Sequence, residues 1–446
     1  MLEKTLEGIE RKDCIVEIFG LGYVGFPLSV RLGECGFSVN GIDTNRQKID
    51  ALQTKNLIDT QMELFEKFNK ASKNLSFSDN PKQVQVPKIS IVCVPTPIED
   101  GTGNSNKFVF HAVEKILETS KKGDVIILES SIKVGSTSEV KKIIESKGFE
   151  IGQDFGLCFC PERIDPLNKK WNLENIPRVV YASDDLTFAI IEHIYRNVNN
   201  AKLHRVTSPE SAEIVKSFEN AFRLVNISLV NELAILCDKI GVDVKEVIDA
   251  AATKPFGFMS FSPGPGAGGH CIPKDPRFLL ESARSVGVEF DTIQNAIAIN
   301  FKVPKYIVQS IEEQIEKMSL PKKVLVCGLA YKKDSEDMRD SPGFKIVSEL
   351  DSRGFDVYTT DPYYKKELEE KYMIENHIEK IQFETSSLDE KDLRVSCLCI
   401  VQDHTKTTQV IQQIYDNSLV PFIYDCQNCL KKNPESTTIL KKFGGI

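Results

Sequence analysis

The chain has 446 residues, with 56 Lys and Arg against 64 Asp and Glu, which gives a formal net charge of −8. Because a single hydrophobic core stops growing at roughly 250 to 300 residues, two or three domains are expected. Hydrophobic residues make up 41% and charged residues 27% of the chain, which excludes a disordered or fibrous class, and no long basic run favours a nucleic-acid partner.

The N-terminus and the cysteines predict a cytoplasmic protein with no membrane partner. Residues 1–13 lack the apolar run of a signal peptide, and no stretch approaches the roughly 18 apolar residues that a bilayer span requires. The 12 cysteines are scattered along the chain, as expected for reduced thiols. Cys426 and Cys429 form a lone C-x-x-C pair, and no metal is expected because structural zinc normally takes four ligands.

Short Val- and Ile-rich runs alternate with amphipathic segments over residues 1–205. The runs are CIVEIFG, SVNGID, ISIVCVP, DVIILES and GLCFCPE. Such alternation is typical of βαβ units and a parallel sheet. We therefore predict an α/β fold whose N-terminal domain is a Rossmann-like, doubly wound parallel sheet.

A glycine fingerprint follows the first of these runs. Gly20, Gly22 and Gly25 lie between a predicted strand and an apolar helix, which is the context that G-x-G-x-x-G requires. The first glycine permits a tight turn, the second lets a pyrophosphate approach the backbone, and the third lets the helix pack closely on the sheet. A dinucleotide site is the prediction, and a glycine-rich turn without a ligand is the alternative.

Asp43 ends the second predicted strand and selects the cofactor. A carboxylate at this position can bond both ribose hydroxyls and repels the 2′-phosphate of NADP, so the cofactor is predicted to be NAD. Further NAD contacts are predicted at the glycine turn and at neighbouring strand ends, from Tyr23, Val24, Lys48, Pro95, Thr96 and Ser131.

Residues 206–305 have a helical texture. Thr207 can cap a helix with Pro209 in its first turn, and apolar residues then recur at helical spacing to about Ile240. Such a helix is on the order of 50 Å long and usually carries an interface, so we predict a homodimer or higher homo-oligomer. Lys216 and Asn220, four residues apart, share one face of it, although a lysine on a helix is ordinarily solvated.

The segment SPGPGAGGHCIPKDP contains the cysteine that is placed like a nucleophile. The glycines before Cys271 let backbone N–H groups approach a ligand, and the following helix start favours a thiolate. Lys274 and Asp275 lie within a turn of it, where a cation can favour thiolate and a carboxylate can orient water. The alternative is a tight loop whose cysteine merely packs. His270 does not predict a metal, because no further ligand cluster is nearby.

The βαβ texture returns at Pro321 in the runs KKVLVCGLAY, FDVYTTDP, RVSCLCIVQ and FIYDCQN. The pattern predicts a second Rossmann-like, doubly wound domain over residues 306–446, which a central helical domain over residues 206–305 joins to the first. The second domain repeats the layout of the first without repeating its sequence.

Taken together, the motifs resemble the UDP-glucose/GDP-mannose dehydrogenase family over essentially the whole chain. The resemblance rests on GLGYVG with Asp43, VPTP, ESSIKVGST, the PE at Glu162, AEIVKSFEN, GPGAGGHCIPKDP, GLAYKKDSEDMRDSP and the DP at Asp361. KPFGF and PERIDPLN look most like the branch that oxidises UDP-N-acetylglucosamine or a related acetamido sugar. The resemblance implies an NAD-dependent, four-electron oxidation of the sugar C6 alcohol through a covalent intermediate on Cys271, for surface polysaccharide or glycan synthesis.

The resemblance also implies roles for individual residues. Cys271 corresponds to the nucleophile and Asp275 to the carboxylate beside it. Lys216 and Asn220 correspond to the pair that stabilises alkoxide and oxyanion, and Glu162 to a carboxylate that helps activate water. Substrate contacts are implied for Glu162, Arg163, Lys216, Asn220, Phe256, Gly268, Gly269 and Lys332, and cofactor contacts for Lys274 and, at a phosphate, Arg339.

Three departures from the family pattern are visible. Ser131 retains the hydroxyl of the usual catalytic-segment Thr, while Lys133 replaces a Pro. Pro166 stands where some members have a second glutamate, so water activation is assigned to Glu162, with Asp165 as a weak substitute. The terminal D-G-R-N pattern reads D-C-Q-N from Asp425, so an arginine that often contacts the nucleotide is missing.

Other readings stay open at this point. The sugar could instead be UDP-N-acetylmannosamine, UDP-N-acetylgalactosamine or UDP-glucose, because the substituents at C2 and C4 are read by loop geometry. A two-electron hydroxy-acid or sugar-phosphate dehydrogenase would need the lysine and asparagine but no cysteine. An NAD-binding regulator without turnover is a third reading, and the presence of both Lys216 and Cys271 disfavours it.

Overall fold

A computed structural model describes residues 1–55, 62–97, 106–165, 168, 170–269, 271–364, 373–376, 378, 382–383 and 393–445. Pro166 and His270 therefore lie outside the described residues. The chain groups into two compact units, Met1–Phe218 and Glu219–Ile446. The division into three domains stays a prediction.

The first unit contains an eight-stranded sheet in the order β3-β2-β1-β4-β5-β6-β7-β8. Every neighbouring pair is parallel except β6 and β7, which are antiparallel. The strands are β1 (Ile15–Phe19), β2 (Ser38–Ile42), β3 (Leu75–Ser78), β4 (Lys88–Val92), β5 (Val125–Leu128), β6 (Gly156–Phe159), β7 (Arg178–Ala182) and β8 (Leu203–Arg205).

Helices cover both faces of this sheet. Leu28 and Ile190 belong to the core of one face, and Val113 and Val140 to the core of the other. A parallel sheet buried on both faces reads as continuous apolar runs, which is why the strands could be found in the sequence. The helices are α1 (Leu2–Glu10), α2 (Gly25–Glu34), α3 (Arg46–Gln53), α4 (Met62–Ala71), α5 (Lys107–Glu118), α6 (Ser136–Ser146) and α7 (Asp185–Val198).

A 32-residue helix, α8 (Pro209–Ile240), runs across the boundary between the two units. The Oγ of Ser208 accepts the N–H of Ser211, so Ser208 caps the helix one residue after the predicted Thr207. Among the described residues, α8 alone is long and apolar enough to cross a membrane, a test that the core helix of a soluble protein also passes.

The second unit contains a six-stranded sheet, entirely parallel, in the order β11-β10-β9-β12-β13-β14. Its strands are β9 (Lys323–Cys327), β10 (Asp356–Thr360), β11 (Gln382–Phe383), β12 (Cys397–Ile400), β13 (Phe422–Asp425) and β14 (Ile439–Lys442). The remaining helices are α9 (Val244–Ala252), α10 (Asp275–Ser285), α11 (Asp291–Lys317), α12 (Pro342–Ser352) and α13 (Thr405–Asp416). The predicted α/β class, with two doubly wound sheets separated along the chain by helices, is confirmed.

Candidate active site

Two of the three glycines in the β1–α2 turn leave no room for a side chain, as the fingerprint predicts, and the third lies in open space. Gly20 has a φ of +92°, and an added Cβ would lie 2.7 Å from the carbonyl oxygen of Cys93. A Cβ on Gly25 would lie 1.9 Å from the oxygen of Gly20, whereas one on Gly22 would meet nothing within 4 Å. The open backbone at Gly22, just before the N-terminus of α2, therefore fits a pyrophosphate.

Asp43 follows β2 and is held in a fixed orientation. One carboxylate oxygen, Oδ2, accepts the backbone N–H of Leu21 and the ammonium of Lys48, each at 2.9 Å, and Oδ1 accepts the N–H of Asn45 at 2.9 Å. Burial alone would raise the pKa of Asp43, but the hydrogen bonds from Lys48 and the backbone outweigh it and hold the pKa below its usual value. An ionised carboxylate at this strand end fits a ribose diol.

The predicted contacts at the next strand ends occur in the same unit. Thr96 is buried, and its hydroxyl donates to the carbonyl of Ser131 at 2.6 Å, which joins the segments after β4 and β5. Pro95 is exposed, and Val24 is the residue before α2. Tyr23 is 69% exposed beside the glycine turn.

A buried ionic cluster lies at the carboxyl ends of β5 and β6. The guanidinium of Arg178 donates to Glu129 Oε1 at 3.0 Å and to Glu162 Oε2 at 2.7 Å, and it lies 4.4 Å from the ring of Tyr195. The hydroxyl of Tyr195 also donates to Glu129. Burial, helped by the neighbouring charge of Glu162, outweighs the lowering effect of Arg178 and raises the pKa of Glu129 to about 7.

Glu162, predicted to help activate water, has hydrogen bonds at both carboxylate oxygens. Oε2 accepts from Arg178, and Oε1 accepts the N–H groups of Arg163 at 2.6 Å and Ile164 at 2.7 Å. The predicted substrate contact Arg163 donates its own side chain to the carbonyl of Pro177 at 2.8 Å. These hydrogen bonds fix the orientation of the Glu162 carboxylate.

Lys216 lies on α8, one turn after a residue that anchors the helix. Glu213 is buried, and its carboxylate accepts the N–H groups of Gly135 at 2.6 Å and Thr137 at 2.8 Å, at the N-terminus of α6. These bonds fix the start of α8 to the first sheet's helical layer. Lys216 is half-buried next to that fixed point.

Cys271 is the one exposed cysteine among the twelve. It lies in the turn that precedes α10, where its carbonyl accepts the N–H groups of Lys274 at 3.2 Å and Asp275 at 2.8 Å. A thiol at this position lies close to the positive end of the helix dipole, which favours the thiolate.

Asn220 and Asp275 form a buried pair in the same unit as Cys271. The amide Nδ2 of Asn220 donates to Asp275 Oδ2 at 2.7 Å, and Asp275 is fully buried. The ammonium of Lys274 lies 3.8 Å from Asp275 Oδ1. The structure therefore brings together four of the residues that the sequence predicts for catalysis or cofactor binding.

The loop after β9 carries Lys332 and is fixed from the neighbouring strand. Asp361, at the end of β10, accepts the N–H groups of Leu329 at 2.6 Å and Ala330 at 3.0 Å. The buried imidazole of His404 lies 3.1 Å from the same carboxylate through Nε2 and accepts the N–H of Asp334 through Nδ1. Burial opposes ionisation of Asp361, but His404 and the backbone hold its pKa below the usual value.

Two further predicted residues lie in exposed segments of the second unit. Phe256, after α9, is 72% exposed, with the ammonium of Lys254 at 5.1 Å from its ring. Arg339 forms a two-point ion pair with Asp337, at 2.8 and 2.6 Å, and its backbone carbonyl accepts the N–H of Gly269.

Sequence reasoning missed Arg178, Tyr195 and His404. Arg178 begins β7, and because β7 is antiparallel to β6, its first residue lies at the edge where β5 and β6 end. That reversal leaves no mark in the local sequence. Two adjacent strand-end carboxylates, Glu129 and Glu162, were the available signal, since buried like charges require a cation.

The fold and these sites define a class of protein. A doubly wound sheet with the three-glycine turn and an ionised Asp after its second strand is typical of a dinucleotide-binding domain. The chain belongs to the UDP-glucose/GDP-mannose dehydrogenase family, whose NAD binding domain matches residues 14–199, central domain residues 210–302 and UDP binding domain residues 325–432. The predictions of the family, the NAD cofactor and the NAD-dependent dehydrogenase activity are confirmed.

Several relatives are similar over most of the chain. The UDP-N-acetyl-D-glucosamine 6-dehydrogenase of Pseudomonas aeruginosa is 34% identical over 80% of this chain and 84% of that protein. The UDP-N-acetyl-D-mannosamine dehydrogenase of Methanococcus vannielii is 29% identical over 95% of this chain and 94% of that protein. The solved structure of the UDP-D-ManNAc dehydrogenase from Pyrococcus horikoshii has a TM-score of 0.84 at 27% identity, and the match covers 96% of this chain and 99% of that chain.

Proposed function

We propose that the protein oxidises C6 of UDP-N-acetylglucosamine twice, from the alcohol to the carboxylate, with Cys271 holding the intermediate. The observation that supports this proposal is that Cys271 is exposed and that its carbonyl accepts the N–H of Asp275, whose carboxylate pairs with Asn220. NAD supplies the hydride acceptor for both oxidations. A cysteine is needed because a free aldehyde between the two steps could diffuse away.

The residues divide the chemistry between them. Lys216 and Asn220 stabilise the developing charge on the C6 oxygen, and Ser131 orients water near it. The Cys271 thiolate adds to the aldehyde carbon to form a thiohemiacetal, whose oxidation gives a thioester. Water then breaks the C–S bond, which releases the carboxylic acid and restores the thiol. Asp275 and Glu162 accept and donate the protons that these steps transfer.

The substrate and cofactor bind through the remaining predicted residues. For NAD, the turn at Gly20–Gly25 cradles the pyrophosphate and Asp43 binds the ribose, with Lys48 fixing the carboxylate. For the nucleotide sugar, Lys332 contacts the phosphates from the loop that Asp361 and His404 hold. Phe256, Arg163, Gly268 and Gly269 complete the sugar site, and Lys274 and Arg339 reach the cofactor.

The first test identifies the sugar by comparing NADH production with five nucleotide sugars. We expect NADH production to be fastest with UDP-N-acetylglucosamine among UDP-N-acetylglucosamine, UDP-N-acetylmannosamine, UDP-N-acetylgalactosamine, UDP-glucose and GDP-mannose, at two NADH per sugar. UDP-N-acetylmannosamine is the second candidate, since several relatives and solved structures are named as dehydrogenases of that sugar nucleotide. Initial rates at equal substrate concentration measure the order. One NADH per sugar would instead favour a two-electron dehydrogenase.

We also propose that the protein is a homodimer that pairs through α8. Its exposed apolar residues fall within about 80° of arc at 100° per residue, which is the width of one helix face. They are Ile214, Phe218, Phe222, Leu229, Leu236 and Ile240. An apolar stripe of this length on a soluble chain marks a protein interface, and a second copy supplies a matching stripe.

Charged substitutions on the stripe should separate the subunits. The double variant Leu229→Glu/Leu236→Glu is expected to have half the native mass by light scattering, because two desolvated carboxylates oppose a strongly apolar contact. Val286→Glu is the matched control, since Val286 is 74% exposed but lies outside α8. A native chain that is already monomeric would refute the dimer.

The proposal also includes the location and the biological role of the protein. The scattered thiols favour a cytoplasmic location, and the proposed role is in surface polysaccharide or glycan synthesis.

A further inference from the structure

The thiol loop, residues 262–269, precedes Cys271 and is held by a buried asparagine of α11. The side-chain oxygen of Asn300 accepts the N–H of Ala267 at 2.7 Å, and its Nδ2 donates to the carbonyl of Ala267 at 3.0 Å. Asn300 is 4% exposed. Its amide thus pairs with both polar groups of one loop residue, as a neighbouring strand would.

Other contacts hold the loop before and after Ala267. Upstream, Asn231 of α8 accepts the N–H of Gly264 at 2.9 Å through Oδ1. Downstream, an added Cβ on Gly268 or Gly269 would lie 2.7 Å from the side chain of Tyr331, so the two glycines pack directly against it. The loop is therefore held at Gly264, at Ala267 and at Gly268 and Gly269.

The fixed points lie at different distances from the thiol along the chain. Ala267 is four residues before Cys271, and Gly264 is seven residues before it. A reacting group must be held to within roughly 0.5 Å, and a displacement of about 1 Å can cost a factor of 10² in rate. The double hydrogen bond between Asn300 and Ala267 is close enough to Cys271 along the chain to fix the position of its thiol.

We propose that Asn300 is a positioning residue that holds Cys271 where it captures the aldehyde. The inference rests on the proposed function. Asn300 does not contact the reacting atoms; it acts through the Ala267 peptide. Loss of the double hydrogen bond lets the loop shift, so that C–S bond formation slows while the first oxidation continues.

A displaced thiol has a specific chemical consequence. Normally the sulfur bonds to the aldehyde carbon, and the carbonyl oxygen takes a proton to become a hydroxyl. When capture is slow, the aldehyde leaves the site unbonded. Hydroxylamine in solution then condenses with it to an oxime and releases one water, which gives a product that mass spectrometry separates from the acid.

The test is the ratio of oxime to acid with UDP-N-acetylglucosamine, NAD and hydroxylamine, where the hydroxamate that hydroxylamine forms from the thioester is counted with the acid. We expect Asn300→Ala to raise this ratio at least about tenfold, since it removes both hydrogen bonds close to the thiol. Asn300→Asp keeps an acceptor for the Ala267 N–H and should lie between Asn300→Ala and the native chain. Asn231→Ala is the matched control, and its more distant bond should give a smaller rise.

A purely structural role predicts a different result. A partly unfolded preparation makes less oxime and less acid in the same proportion, so an unchanged ratio in both Asn300 variants would overturn the inference. Cys271→Ser measured alongside separates this failure from a failure of the proposed function. If Cys271→Ser still forms acid, the proposed function is wrong; if it forms only oxime while the Asn300 variants match the native ratio, only the inference is wrong.

Discussion

The variant Cys271→Ser is expected to produce no more than one NADH per sugar and to form almost no acid. The first oxidation needs an oxyanion stabiliser and a hydride acceptor, neither of which is the thiol. The second needs a sulfur adduct, and a serine hydroxyl is a much weaker nucleophile at neutral pH. Acid formation should fall by about 10³-fold or more, as when other enzymes lose their nucleophile.

Absorbance of NADH and chromatography of the acid measure this stoichiometry. Cys35→Ser is a suitable control, because Cys35 is half-buried in the first unit, where its thiol donates to the carbonyl of Asn197 at 3.0 Å. That variant should keep two NADH per sugar. Two NADH per sugar from Cys271→Ser would remove the thiol from the mechanism and leave the exposed cysteine without a catalytic role.

The dinucleotide site could be predicted in detail because its signals are local. The spacing assigns Gly20 to the tight turn and Gly25 to the close contact between helix and sheet, and neither position has room for a Cβ, whereas the pyrophosphate contact at Gly22 stays a prediction. Asp43 follows one strand later, still within a single βαβ unit. Short-range patterns of this kind fix both the turn and the strand end that follows it.

Non-local contacts account for what the sequence did not reveal. Asn300 lies 33 positions after Ala267, and Arg178 lies 49 positions after Glu129. A buried Asn within a helix and an Arg at a strand start are ordinary residues in the linear pattern. Their partners are decided by helix packing and by the reversal of one strand, which periodicity does not encode.

For Glu162, too, the local sequence predicts the position of the residue, whereas non-local contacts decide its partners. The sequence places a carboxylate after β6, and the structure confirms that position. Its hydrogen-bond state could not be foreseen, because one partner, Arg178, comes from the antiparallel strand and the others are the N–H groups of Arg163 and Ile164. Asp275, which lies one turn after Cys271 along the chain, is therefore a second candidate for proton transfer.

The variant Asp275→Asn is expected to lower kcat by about 10² to 10⁴, the usual contribution of a positioned acid–base group. Asp275 is fully buried; Oδ2 accepts from Asn220, and Oδ1 has no hydrogen-bond partner among the described residues. Asparagine has nearly the same shape and can keep the bond from Asn220 through its oxygen. The fold should persist while the proton-accepting oxygen is lost.

Asp291→Asn is the matched control for this prediction. Asp275 is the first residue of α10 and Asp291 the first residue of α11, so both carboxylates face a helix dipole, but Asp291 is exposed. A charge that only stabilises a helix N-terminus contributes roughly 0.3 to 1 kcal/mol, and its loss should change the melting temperature slightly and kcat hardly at all. Equal, small changes in kcat for the two variants would therefore reduce Asp275 to a helix-stabilising charge, whereas a large loss confined to Asp275→Asn assigns it to proton transfer.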